Sequence, residues 1–136
     1  ELLGWLGRMP RHAKQTHGIN ESDSEVVRLS PRQFLASTVD SVSEEIAYGL
    51  YQDPYTMGWM TAMASLSDLA AVGASPVGLL FSAQWDFSFD EARKARVAEG
   101  MRAALKAAAE KGAPGLRGDL RRPRAGLAGC LARQPR

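Results

Sequence analysis

The sequence offers little sulfur or imidazole chemistry. Its 136 residues include one cysteine, Cys130, and two histidines, His12 and His17. A single cysteine excludes a disulfide within the chain and any metal site built from several cysteines of one chain. The two histidines lie five residues apart, a spacing that does not bring both onto one face of a helix. We therefore give a histidine metal site little weight, and no Ser/His/Asp catalytic set can be argued.

The common nucleotide-binding motifs and long apolar runs are absent as well. Neither GxxxxGK[ST] nor GxGxxG occurs, which excludes a P-loop and a dinucleotide fingerprint. No apolar stretch is long enough to cross a membrane. The N-terminal segment has its apolar residues before its basic ones, the reverse of a secretory signal. We expect a cytoplasmic protein with no membrane partner.

Positive charge is concentrated at the end of the chain. Residues 1–110 hold 10 Lys and Arg against 14 Asp and Glu, whereas residues 111–136 hold 7 Lys and Arg against one acidic residue. The body is therefore acidic and the tail basic. The tail has no aromatic residue that could stack on a base, so we do not expect a nucleic-acid partner.

Alternating strand and helix patterns follow one another between these two ends. Strands are predicted at residues 24–27, 33–39 and 77–82, and long helices at residues 54–72 and about 90–111. The pair Asp53-Pro54 begins the first helix, and Gly73 is placed to end it. This order predicts an α+β domain with α/β-type layers, in which a small mixed sheet is covered by two long helices. An N-terminal helix or loop is expected at residues 1–20, ahead of a body at residues 21–114.

Residues 115–136 are predicted to form an irregular, Arg-rich tail. They contain six arginines and no β-branched residue, so no segment there qualifies as the strand expected after the second long helix. Two explanations stay open. Either the tail is disordered and basic, or the original strand has been lost through a shifted reading frame.

Several carboxylates lie near predicted element ends without basic neighbours. Asp40 follows the strand at residues 33–39, Glu44 lies in the next loop, and Asp68 lies in the first long helix. The residues three and four positions from Asp68 are small or apolar, so nothing basic on the helix neutralises it. Carboxylates converging from separate elements suit a hard divalent cation, above all Mg²⁺. The alternative is that Asp68 is an ordinary hydrogen-bonded or solvent-facing helix residue.

Several of these segments, taken in order, resemble the N-terminal domain of the AIR synthase superfamily. They are Asp40 with Glu44, Asp53-Pro54 with Gly58, SDLAAVGASP at residues 67–76, ESDSEV at 21–26 beside the family's GDDAAV, and RGDL at 117–120 beside its GGDT. SDLAAVGASP is the most specific of these matches. Within the superfamily, the residues most resemble those of thiamine-monophosphate kinases.

The resemblance implies a PurM-like fold and an enzyme family that uses ATP and Mg²⁺ to transfer a phosphoryl group to a small molecule. It implies metal ligands at Asp23, Asp40, Asp68 and Asp119, and nucleotide contacts from Asp40, Asp68 and Gly118. It also implies a homodimer in which the sheets of two domains pair. Residues 21–114 would then form the ATP-binding domain.

Departures from the family pattern predict that the isolated chain is inactive. Ala47, in the segment EEIAY, stands where the kinases carry a histidine associated with the phosphate acceptor. The GGDT-like loop keeps only Gly118 and Asp119. A full family member also has a C-terminal α/β domain that helps form the substrate site, and this chain has none, so we expect a truncated protein whose substrate is not readable. The alternative function is a non-catalytic dimerisation or ligand-binding module.

Overall fold

Helices and strands both occur in the part of the chain that this computed structural model describes, residues 2–110 and 129–133. In chain order they are α1 (Leu2–Leu6), β1 (Glu25–Ser30), β2 (Gln33–Thr38), α2 (Ser43–Ala47), α3 (Pro54–Ala71), β3 (Ser75–Leu80), α4 (Glu91–Glu110) and β4 (Gly129–Arg133). The prediction of two long helices beside a small sheet is confirmed. No helix among the described residues is long and apolar enough to span a membrane.

The four strands form one sheet in the order β1-β2-β4-β3. The strands β1 and β2 form a hairpin in which Val27 lies opposite Leu35. The strand β4 pairs antiparallel with β2 on one side and with β3 on the other. All three pairings are antiparallel, so the sheet is not mixed as predicted. Because β2 and β3 are both antiparallel to β4, they run in the same direction, and α2 and α3 form the crossover between them.

The strand β4 corrects part of the prediction of an irregular tail. In this strand Ala132 lies opposite Ala36 of β2 and opposite Pro76 of β3, so the segment has a partner on each side. Its sequence, GCLAR, contains no β-branched residue, and local propensity therefore does not indicate a strand. Pairing with two neighbours satisfies the backbone groups instead. The rest of the predicted tail, residues 115–128 and 134–136, lies outside the described residues.

Three smaller differences concern local boundaries. The helix α2 lies in a segment predicted as a loop. The strand β3 begins at Ser75, earlier than predicted, and includes Pro76 beside an irregularity in pairing; proline is tolerated there because β3 is an edge strand. The N-terminal segment is joined to the sheet, because Thr16 N donates to Val26 O at 3.0 Å and Arg28 N donates to Lys14 O at 2.8 Å.

The long helices begin and end where the local chemistry predicts. Asp53 is the N-cap of α3 and accepts a hydrogen bond from Thr56 N at 2.8 Å. Gly73 follows the helix with φ at +67°, a left-handed conformation that favours glycine. The side chain of Asp90 accepts from Arg93 N at 2.8 Å and caps the start of α4.

Both long helices pack against each other, and apolar side chains fill two adjoining clusters. One cluster joins α3 and α4 to the sheet, and its buried members are Val26, Ala36, Leu66, Leu69, Ala74 and Leu105. The other lies toward the start of α3 and is built on Met57, Val97 and Met101. This second cluster borders a cavity of about 740 Å³.

Candidate functional site

The end of strand β2 meets helix α3 through a hydrogen bond between two side chains. Thr38 Oγ1 donates to Asp68 Oδ2 at 2.6 Å, and Thr38 is only 9% exposed. The main-chain oxygen of Asp23 lies 3.4 Å from the same hydroxyl. A hydroxyl has one proton to donate, and the shorter distance assigns it to the carboxylate. Two residues that were predicted as metal ligands thus lie close to Thr38. Asp68 approaches it with its side chain and Asp23 with its main-chain oxygen.

Alternation along β2 explains why Thr38 faces the helix. Side chains two residues apart on a strand point to the same side, and Ala36 is fully buried in the cluster between sheet and helices. Thr38 therefore points the same way, toward α3. Sequence reasoning missed Thr38 as a site residue, although alternation from the buried end of QFLAST is a signal that would have indicated it.

Asp40 lies two residues further on, after β2 has ended. Its Oδ1 atom accepts a hydrogen bond from Ser41 N at 2.7 Å, so the carboxylate stabilises the turn in which it lies. Asp40 also lines two depressions, with volumes of about 740 Å³ and about 290 Å³. Glu44 and Glu45 line only the smaller one. Asp40 is therefore the predicted site residue that borders open space.

The larger cavity has mostly apolar walls contributed by several elements. These walls include Ile46, Met57, Phe81, Trp85, Phe89 and Val97. The acidic residues Asp40 and Asp86 also line it, and no basic residue does so among the described part of the chain. A cavity of this size and lining suits the body of a small organic molecule. Its described lining offers no protein cation to an anionic group.

Asp86 brings a fixed negative charge to this cavity. The Ser88 hydroxyl and the Ser88 backbone N–H hold the pKa of Asp86 below its ordinary value, and Arg93 lowers it further. The backbone N–H donates to Asp86 Oδ1 at 2.5 Å. These bonds form a turn at residues 86–89. The ring centroids of Phe89 and Trp85 lie 5.4 Å apart, and the Phe87 side chain is fully exposed.

The three predicted aspartates that the structure describes have no cationic partner there. The ion pairs among residues 2–110 and 129–133 involve other carboxylates, namely Glu25, Glu91, Glu99 and Glu110. Within the same residues, no group of three His, Cys, Asp or Glu lies close enough to hold a metal ion. Carboxylates such as those of Asp40 and Asp68 are a ligand type that Mg²⁺ takes, in small number, with water and phosphate oxygens completing its shell. Asp40 lines both depressions, whereas Asp68 lines neither of them.

Two further predicted residues, Gly118 and Asp119, lie outside the described residues. Ala47, which the resemblance predicts to stand in place of the kinase histidine, is exposed at the end of α2. Ser24 and Ser65, which sequence reasoning did not single out, are nearly fully buried with hydroxyls that have no hydrogen-bond partner in the described part of the chain. Ser65 precedes Asp68 by about one turn of α3.

The sequence of this chain is similar to that of known proteins over most of its length. Residues 21–129 match the family described as AIR synthase related protein, N-terminal domain. Over 60 residues the chain is 38% identical to the thiamine-monophosphate kinase of Archaeoglobus fulgidus, a match that covers 44% of this chain and 20% of that protein. The chain thus spans about a fifth of the length of that curated relative.

Solved structures show the same fold. The structure of AaThiL complexed with AMPPCP and TMP is similar with a TM-score of 0.56 at 19% identity, over 82% of this chain and 34% of that chain. The thiamine-monophosphate kinase of Stenotrophomonas maltophilia is similar with a TM-score of 0.50 at 23% identity, over 97% of this chain and 39% of that one. At these identities the likeness concerns the fold alone, which is PurM-like. The family match, which takes in well over half of the chain, shows that the protein belongs to the AIR synthase related family through that family's N-terminal domain.

Proposed function

We propose that this domain binds ATP together with Mg²⁺ and belongs to a protein that transfers a phosphoryl group to a small molecule. The observation that carries the proposal is the placement of two carboxylates that have no cationic partner among the described residues. Asp68 of α3 is hydrogen-bonded to Thr38 at the end of β2, and Asp40 lies just beyond that end. Family membership supports it, since the similar AaThiL structure contains AMPPCP and TMP.

In this proposal Asp40 and Asp68 hold the metal, with Asp23 beside them. A bound Mg²⁺ neutralises charge on the polyphosphate and orients it for transfer. The chain's own contribution is to present these carboxylates without a competing cation among the described residues. Gly118 and Asp119 stay in the proposal as further nucleotide and metal contacts.

The cavity of about 740 Å³ is the proposed site for the acceptor molecule. Its apolar and aromatic walls would bind the flat body of such a molecule, and Asp40 would connect it to the metal. Among the described lining residues there is no histidine and no cation, and Ala47 offers neither. We therefore expect this chain to bind nucleotide without turning the acceptor over.

A second candidate is a dimerisation or ligand-binding module without catalysis. Large apolar side chains are exposed on the two edge strands of the sheet: Leu29 of β1 is 54% exposed, and Val77 and Leu80 of β3 are 50% and 62% exposed. Apolar surface of this kind is typical of a face that another chain covers. A homodimer through the sheet is therefore part of the proposal, as is a cytoplasmic location, which imaging of the tagged chain would test.

Calorimetric titration of the chain with ATP, with and without Mg²⁺, tests the nucleotide site. We expect binding that requires Mg²⁺ and that Asp68→Asn weakens by about tenfold or more, because a ligand charge is lost. The matched control is Asp53→Asn, which changes the same residue type on the same helix and keeps an N-cap side chain. Absent binding, or binding that Asp68→Asn leaves unchanged, would contradict the proposal.

Addition of thiamine monophosphate to the same samples separates the two candidates. Nucleotide binding without a phosphorylated product supports a binding module. Formation of thiamine diphosphate would show that the chain is an active kinase and that our expectation of inactivity is wrong.

A further inference from the structure

We propose that residues 11–17 form an edge cover, a segment that lies on strand β1 and prevents copies of this chain from pairing head to tail. The strand that the edge cover excludes is β3 of a second copy. The inference concerns assembly rather than chemistry, so it holds whether or not the domain binds nucleotide.

The first step is that the segment pairs with the outer side of β1. Thr16 N donates to Val26 O at 3.0 Å, and Arg28 N donates to Lys14 O at 2.8 Å. Between these two bonds, Gln15 forms an antiparallel bridge with the strand. The strand β2 lies on the other side of β1, so both bonds use backbone groups that face away from the rest of the sheet.

The second step is that one arginine side chain fastens both ends of the edge cover. The Arg11 guanidinium donates to the main-chain oxygen of His17 and thereby joins the first residue of the segment to the last. The same nitrogen lies 3.2 Å from Glu25 Oε2, at the start of β1. The edge cover is therefore held by an ion pair as well as by backbone bonds.

The third step concerns the two ends of the sheet. Among the described strands, β3 has a neighbour on one side only, and an edge strand is a template for pairing with another chain. If β1 of one copy paired with β3 of the next, every added copy would present the same two edges again, and the assembly would not close. The edge cover occupies β1 and confines strand pairing between copies to β3. Two copies that meet there by twofold symmetry form a closed pair.

Apolar side chains make an uncovered contact between β1 and β3 favourable. Leu29 of β1, which follows the last bond to the edge cover, is 54% exposed, and Val77 and Leu80 of β3 are 50% and 62% exposed. Pairing of the two strands would remove apolar surface from water on both of them. An obstacle on β1 is therefore needed if head-to-tail growth is to be avoided.

Sedimentation velocity of the full chain over a range of concentrations tests the inference. Thr16→Pro removes the N–H that bonds to Val26 O. We expect its mass to exceed that of a dimer and to rise with concentration, whereas the wild-type mass stops rising at a dimer or below. The matched control is Ala13→Pro, in a turn closed by Gln15 N donating to His12 O at 2.9 Å, where proline is favoured as the second residue. It should behave as the wild type.

A double variant identifies the two strands in contact. Leu80→Asp on β3 should stop the growth that Thr16→Pro causes, because the head-to-tail contact joins β1 to β3. A general loss of structure would not be reversed by this second substitution. If circular dichroism shows that Thr16→Pro does not fold, Arg11→Gln replaces it. This variant keeps the backbone bonds and removes the ion pair, so the same growth is expected at higher concentration.

Three results would overturn the inference. They are a wild-type chain that grows without limit, a folded Thr16→Pro or Arg11→Gln variant with the wild-type mass at every concentration, and growth that Leu80→Asp does not reduce. A monomeric wild type beside a growing Thr16→Pro variant would instead support the edge cover and contradict the proposed homodimer.

Discussion

Gly58 of α3 lies directly against the backbone of Val97 of α4. A Cβ atom added at Gly58 would stand 1.9 Å from the Val97 carbonyl oxygen. The contact has a counterpart at Gly100, where a Cβ would stand 1.9 Å from the carbonyl oxygen of Tyr55. The two helices approach this closely because neither glycine has a side chain. Since Val97 also lines the large cavity, the glycine pair positions one wall of the proposed acceptor site.

Substitution of either glycine by alanine should therefore destabilise the fold. Both obstructing groups are backbone, so the helices must separate, and overpacking of this kind costs about 1–3 kcal/mol or more. Denaturant titration of Gly58→Ala and Gly100→Ala measures the loss. The control is Gly4→Ala in α1, where an added Cβ meets nothing within 4 Å. Wild-type stability in Gly58→Ala would show that the helices are not packed this closely.

The N-cap of α3 should make the free energy of unfolding depend on pH in the acidic range. The Thr56 backbone N–H and then the Thr56 hydroxyl hold the pKa of Asp53 below its ordinary value of 3.8. A carboxyl with a lowered pKa in the folded state stabilises the protein above its unfolded pKa, and that contribution is lost as the pH falls through the folded pKa.

Wild-type protein should thus lose stability below pH 3.8 more steeply than Asp53→Asn, whose cap does not titrate. Thermal melts from about pH 6 down to about pH 2.5 test this, over the range where carboxyls titrate. Parallel curves for the two proteins would mean that Asp53 makes no such contribution. Asp53→Ala should melt at a lower temperature than both at pH 6, because the Thr56 N–H then has no cap.

Removal of the Ser65 hydroxyl should not harm stability. The side chain is 1% exposed, and its oxygen has no hydrogen-bond partner among the described residues. An unpartnered buried hydroxyl is unfavourable, and alanine is the better helix former, so Ser65→Ala should gain about 1 kcal/mol. The control is Ser67→Ala, which removes an exposed hydroxyl bonded to Ala64 O at 2.7 Å. A clear loss of stability in Ser65→Ala would reveal a partner for this hydroxyl.

A bulky side chain in the large cavity should block the acceptor and spare the nucleotide. Ala83 lines the cavity in the loop after β3, and Ala83→Trp would fill part of its volume. We expect calorimetry to show weaker binding of thiamine monophosphate, with Mg²⁺-dependent ATP binding unchanged. Ala95→Trp, at an exposed position on α4, is the control. An equal loss of affinity for thiamine monophosphate and for ATP would indicate that both ligands bind in one site.

A charge on the outer edge strand should break the proposed homodimer. The Leu80 side chain of β3 is 62% exposed. Leu80→Asp would prevent its burial against a second copy, because burial of an unpaired charge is unfavourable. Analytical ultracentrifugation should show a shift from dimer to monomer. Leu50→Asp changes a leucine that is 68% exposed in the loop before α3 and should leave the dimer intact. A wild-type monomer at all concentrations would rule out the dimer.

Local chemistry explains which parts of this fold were predictable. The helix α3 is marked at both ends by Asp53-Pro54 and Gly73, and β2 by its aromatic and β-branched residues, so both were found from the sequence. The strand β4 was not, because its pairing arises from tertiary neighbours rather than from its own residues. Asp68 was predicted as a candidate ligand from its lack of charged neighbours along the helix, and that role stays a prediction. Its partner Thr38 lies 30 residues away and becomes visible only when β2 packs against α3.

The position of β4 in the sheet has a consequence for the order of folding. The β1–β2 hairpin can form as soon as both strands exist, yet the backbone of β3 pairs with the sheet only through β4 among the described strands. Both halves therefore keep an open edge until residues 129–133 dock between them, and open edges invite pairing with other chains. The closing contacts span much of the sequence, which is typical of slow folding. Aggregation during synthesis, before this strand emerges, is thus the hazard that the topology creates.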